Sequence, residues 1–174
     1  MPALLKIVLI IVVLLAGAYD ARYRKIPNWL SLSGLILGLG INTFVFGWAG
    51  LRAAALGFGL AMLIYAPLYL VRGMGAGDVK LMAALGAIAG PQDWFGIFIA
   101  TALVGGLVSL TAVLIKKRAG QTFLNLTTIL SELLQFRRPA KADNRLDVRN
   151  PSALRMPHAV NIAVGCIAFL YLSW

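Results

Sequence analysis

Apolar and polar positions alternate along the chain on the scale of whole segments rather than single residues. Apolar runs fall at about 3–19, 29–49, 53–71, 79–90, 94–115 and 157–174, separated by breaks that hold glycine, proline or charge. Runs near 20 residues match the length at which a helix crosses hydrocarbon. The pattern predicts an all-α, polytopic membrane helical bundle of about six transmembrane helices, folded as a single domain over 1–174. The fourth run covers only about 12 residues, roughly 18 Å of helix, so it must lean on its neighbours or extend back through the preceding glycines. Ala16-Gly17-Ala18 imitates a signal-peptide cleavage site. Lys6 is the only basic residue in or before the first run, however, and five more runs follow, so that run reads as a retained span.

The one long hydrophilic stretch, 116–156, is too short to build a core of its own. Within it Leu126, Ile129, Leu130, Leu133 and Leu134 share one helical face, and Asn125, Thr128, Glu132 and Gln135 the other. Bracketed by Lys116-Lys117-Arg118 and Arg137-Arg138, this segment is expected to form an amphipathic helix lying on the cytoplasmic membrane surface. A plain surface anchor accounts for it, with substrate docking as the alternative.

Composition agrees with the pattern: 60% of the 174 residues are apolar and 13% charged, more apolar surface than one soluble core of this size can hide. The net charge of +10 would suggest nucleic acid in a soluble protein. Here the basic residues cluster between apolar runs, where they set orientation, and no nucleic-acid partner is expected. Of the sixteen Lys and Arg, all but Lys6 and Arg52 fall in the odd-numbered loops, which places those loops in the cytoplasm and both termini outside.

Few side chains are available for chemistry. The single His158 and single Cys166 form neither an HExxH nor a CxxC motif, and no GxxxxGK[ST] phosphate loop occurs. No metal and no cofactor is expected, and packing is the simplest role for both residues. Asp93, beside Pro91, reads as a turn or cap residue. Glu132, Asp143 and Asp147 belong to the solvated basic segment. Asp20 and Asp78 differ, because the topology brings the end of the first span and the start of the fourth to the same membrane face and depth. Ordinary explanations exist: Asp20 paired with Arg24 at i,i+4, or Asp78 capping its helix. Two ionisable groups at matched depth at the edge of lipid nevertheless suggest function.

The flanks of the two acids add definition. Asp78 closes Gly73-Met74-Gly75-Ala76-Gly77-Asp78, where glycines leave the backbone open before an acid. After Asp20 comes Ile26-Pro27-Asn28, in which Pro27 holds Ile26 extended and Asn28 can cap the second span. Gly75, Gly77, Lys80, Pro27 and Asn28 are therefore candidate active-site turn residues.

Taken together, these segments resemble the type IV prepilin peptidases, GxGD membrane aspartic proteases, and in particular the small TadV/CpaA-type members. The likeness rests on Asp20 followed by Arg24-Lys25-Ile26-Pro27-Asn28, on Gly75-Ala76-Gly77-Asp78-Val79-Lys80-Leu81, and on Met156-Pro157-His158-Ala159 with Ile162 and Gly165. In the third motif Val160 and Asn161 stand where the family pattern has Pro and Ala. The resemblance implies that Asp20 and Asp78 are the catalytic pair of an aspartic endopeptidase. The substrate it implies is a prepilin or pseudopilin with a basic leader, a glycine before the cut and an apolar helix. It also implies a location in the bacterial inner membrane with the site facing the cytoplasm. Larger members carry a CxxC-bearing segment and N-methyltransferase activity; that segment has no counterpart in this sequence, so peptidase activity alone is expected. The rival readings are a proton- or cation-coupled transporter using the same acids and a non-catalytic membrane scaffold.

Overall fold

Leucine, isoleucine, valine and alanine dominate the apolar runs, and in hydrocarbon a backbone satisfies its polar groups most simply within a helix. The structure, a computed structural model, describes residues 1–70, 74–115 and 158–173. These form four helices and, among the described residues, no strand: α1 (Ala3–Tyr23), α2 (Asn28–Leu70), α3 (Ala76–Ile115) and α4 (His158–Leu172). By length and composition α1, α2 and most of α3 are long and apolar enough to cross a membrane, while α4 is apolar but has only 15 residues. The amphipathic helix expected within 116–156 lies outside the described residues.

α2 and α3 are each broken once. The backbone leaves helical geometry at Gly47 (φ 59°, ψ −138°) and at Gly90 (φ 75°, ψ 171°), left-handed positions that glycine occupies without strain. Beyond each break the chain turns back, as the close approaches along the bundle show. Gly34 faces Ala84 and Gly38 faces Ile88, so the first limbs of α2 and α3 run parallel. Ala53 faces Gly90 and Gly57 faces Gly86, so the second limb of α2 runs antiparallel to them. The second limb of α3 packs antiparallel on α4, with Gly96 against Phe169 and Gly165 against Thr101. Gly57 and Gly86 meet backbone to backbone, an approach that any side chain would prevent.

Two sequence expectations change here, and a third, the support of the short fourth run, is met. The break in α2 comes at Gly47 rather than after residue 49. Arg52 does not interrupt the helix, because its guanidinium lies 5.7 Å from the Trp48 ring and its charge stays at the rim. α1 runs past Asp20 to Tyr23 and ends in a left-handed Arg24 (φ 54°), whose N–H returns to the Asp20 carbonyl at 2.9 Å. A charged residue at a helix end does not stop the helix; the left-handed cap before Pro27 does. The fourth run gains length by starting at Ala76, which makes a limb of about 21 Å. It also sits at the centre of the bundle, where every residue from Leu81 to Ile88 is buried.

The break at Gly90 has a cost that Asn42 meets. Pro91 has no N–H to return to the Ala87 carbonyl. The buried Asn42 Nδ2 donates to the carbonyls of Ala87 and Ile88 at 3.0 and 3.2 Å, and to Gly38 in its own helix at 2.9 Å. Trp94, fully buried just after the break, donates its indole N–H to the Met82 carbonyl at 2.9 Å and stacks on Phe98. Asn42→Ala should therefore destabilise the protein by about 1–3 kcal/mol, the cost of buried carbonyls losing their donor. Thr43→Ala, which removes only an exposed hydroxyl bonded to the Leu39 carbonyl, should change little. Thermal unfolding of the two purified variants in detergent measures the difference.

Candidate active site

Helical spacing decides where Asp20 points. The buried face of α1 carries Leu5, Leu9, Val13 and Ala16 at steps of three and four, and Asp20 continues it. The carboxylate is thus carried into the bundle and is only 7% exposed. Its Oδ2 accepts the backbone N–H of Ala159 at 2.9 Å. Ala159 is the second residue of α4, in the turn whose N–H groups have no partner within their own helix. Gly17, one turn before Asp20, lies against Ala163 and the Ala159 carbonyl, which lets α4 come this close.

Asp78 is the third residue of α3 and is half-buried. It accepts the backbone N–H of Gly75, the residue just before the helix, the arrangement in which an acid at N3 reaches back to the cap position. The capping role expected of Asp78 is therefore real. It does not separate Asp78 from Asp20: Asp20 and His158 lie within charge range of Asp78, and Asp78 lies within charge range of the buried Tyr65. α1, α3 and α4 thus bring two carboxylates and an imidazole together at one end of the bundle.

The candidate turn residues divide into two groups. A side chain at Gly75 would stand 3.2 Å from Asp78 Oδ2, and one at Gly77 would stand 3.2 Å from Ile26 Cβ. The glycines leave room for the carboxylate and for the Ile26-Pro27 turn, whose Pro27 carbonyl accepts the Leu30 N–H as α2 begins. Asn28 and Lys80 belong elsewhere. Lys80 Nζ donates to Asn28 Oδ1 at 3.0 Å, on the far side of α3, since two residues turn a helix by about 200°. Among the described residues Asn28 makes no capping bond; its oxygen serves Lys80 instead.

Two groups beside the acids are not evident from residue types. His158, expected to serve packing, is half-buried and within charge range of Asp78. Its position immediately after Pro157, at the start of the last apolar run, is the sequence signal for it. The Ala159 donor is a backbone group and has no side-chain signature. Cys166 is fully buried. Asp93 lies at the opposite end, 3.5 Å from the Met1 amino group. Among the described residues no three His, Cys, Asp or Glu side chains gather as metal ligands.

Two neighbouring carboxylates shielded from water resist ionising together, so a pair of this kind can hold one proton and offer an acid and a base to the same water molecule. No curated protein and no solved structure matches the chain. Residues 7–110, more than half of the chain and including both acids, match the type IV leader peptidase family. An apolar chain, helical among its described residues, with two acids gathered at one end of its bundle and with that match across both, belongs to the type IV leader peptidase family.

Proposed function

We propose that the chain is an aspartic endopeptidase that removes the basic leader of type IV prepilins or pseudopilins, of the Flp type, at the cytoplasmic face of the bacterial inner membrane. The observation that carries this reading is the convergence of Asp20 and Asp78, from α1 and α3, beneath the first turn of α4. One carboxylate, as base, takes a proton from water as the oxygen attacks the carbonyl carbon of the glycine before the cut. The protonated partner donates to the carbonyl oxygen. Collapse of the tetrahedral intermediate breaks the C–N bond, and the departing amine takes a proton back from the pair. The two acids act jointly, since such a pair titrates as a unit. A transporter using the same acids would hold them near mid-bilayer, whereas both occupy the end turns of their helices.

The finer assignments follow the same line. We read the chain as a small TadV/CpaA-type member with one peptidase domain and six crossings: α1, the two limbs each of α2 and α3, and α4. Support comes from the turns at Gly47 and Gly90 and from the distribution of Lys and Arg. A cytoplasmic site suits a leader that never leaves the cytoplasm.

Asp20→Asn and Asp78→Asn should each lower cleavage of a prepilin by at least about a hundredfold while leaving the protein at wild-type levels in the membrane. Asparagine keeps an oxygen for the Ala159 or Gly75 N–H but cannot share the proton. Immunoblotting of pilin processing and of the peptidase itself reads both; normal processing in either variant would end the assignment.

Topology gives a second test. Single cysteines at Arg22 and Ala76, in a Cys166→Ala background, should label from the cytoplasm, and those at Trp48 and Gln92 from the opposite side. Opposite-side labelling of Arg22 and Ala76 would contradict a common site for the acids.

Purified protein should also cleave in the presence of a strong chelator and leave the new pilin N-terminus unmethylated when S-adenosylmethionine is supplied. Mass measurement of the product detects a methyl group directly, and loss of cleavage with chelator would reveal a metal requirement.

A further inference from the structure

On the side of α3 away from the acids, both limbs of α2 and the first limb of α3 enclose a cavity of about 390 Å³ beside Asn28 and Lys80. Its lining is graded. At the mouth, Lys80 Nζ donates to Asn28 Oδ1 at 3.0 Å, and both residues are exposed. About 4.5 Å further along α2 lies Ser31, 5% exposed, whose hydroxyl has no hydrogen-bond partner among the described residues. Beyond it the walls are apolar, formed by Leu32 and Leu35 and by Phe58 and Met62 of the returning limb.

The unpaired Ser31 hydroxyl is not a general property of serine in this helix, because Ser33 donates back to the Leu30 carbonyl at 3.0 Å. A buried hydroxyl without a partner is costly, and its position on a cavity lining suggests that a ligand acceptor meets it. Among the described residues the partner of Lys80 is a neutral amide rather than a carboxylate, so its charge is open to an anion.

Cation, then hydrogen-bond donor, then apolar wall, in that order of depth, is the complement of an anionic phospholipid, whose phosphate, ester carbonyls and acyl chain follow in the same sequence. We propose that the cavity between α2 and α3 binds an anionic phospholipid, with its phosphate on Lys80 and Asn28, an ester carbonyl on Ser31 and an acyl chain along Leu32, Leu35 and Met62. The site is separate from the acids, since Lys80 and Asp78 lie on opposite faces of α3, and it stands whether or not the chain cleaves a prepilin.

Lipid retention by the full chain tests this, read by native mass spectrometry from detergent after adding phosphatidylglycerol or phosphatidylcholine of equal chain length. The wild type should retain one phosphatidylglycerol with about fivefold preference, the factor one cation near an anionic headgroup supplies. Lys80→Gln should abolish the preference, Ser31→Ala should weaken retention of both lipids, and Lys25→Gln should alter neither. Leu32→Trp, which fills the cavity from a position 57% exposed, should block retention without changing charge. Inorganic phosphate should not compete, because it gains nothing from the apolar walls. Equal retention of the two lipids by the wild type, or an undiminished preference in Lys80→Gln, would overturn the proposal. So would displacement of lipid by inorganic phosphate, or capture of a prepilin peptide in place of lipid by a benzophenone side chain at Leu32.

Discussion

The hydrogen bond from the Ala159 backbone to the Asp20 carboxylate joins the last described helix to the first, and it answers a need that every helix start creates. First-turn N–H groups lack partners in their own helix, and at the edge of hydrocarbon water is a poor substitute. α3 and α4 both begin at the same end of the bundle, and each meets this need with a carboxylate, Asp78 for the Gly75 N–H and Asp20 for the Ala159 N–H. Two separate demands for an acceptor thus bring two acids to one place. Their structural and proposed chemical roles are not alternatives: the bond that caps a helix is also the bond that aims the carboxylate.

The opposite end of the bundle shows the complementary problem. Where the first limb of α3 stops at Gly90 and Pro91, carbonyls rather than N–H groups lose their partners, and an amide donor is required. Asn42 supplies it from a neighbouring helix, contacting two carbonyls of α3 and one of its own. This lets a limb of about 21 Å serve as the centre of the bundle, since neighbours rather than its own length satisfy its ends. The backbone contact of Gly57 with Gly86 draws the helices together around it, as expected where packing rather than hydrophobicity drives helix association.

These physical requirements explain what could be read from residue order. The apolar runs were legible because hydrocarbon demands long uninterrupted segments, and the turn at Gly90 because glycine and proline adjoin there. The turn at Gly47 was harder to place: Arg52 is the more conspicuous interruption, yet its long side chain reaches Trp48 and leaves the helix intact. Asp20 and Asp78 could be paired from sequence because counting spans places both at one face. The place of His158 beside the acids was obscured because an imidazole beside apolar residues reads as packing. The Ala159 donor was invisible, since a backbone N–H acquires its role only from the helix that leaves it unpartnered.

Lys80 shows how two residues of separation along one helix can keep opposite charges from cancelling. In a weakly solvated setting an ammonium beside Asp78 would pair with it and hold its charge, leaving less freedom to exchange a proton. The helical turn instead directs Lys80 to Asn28, and among the described residues no ion pair joins it to Asp78. The group that does come within charge range of that carboxylate is the imidazole of His158, the first residue of α4. The start of α3 therefore separates two environments. One side gathers two carboxylates and an imidazole, and the other presents a fixed positive charge above an apolar cavity.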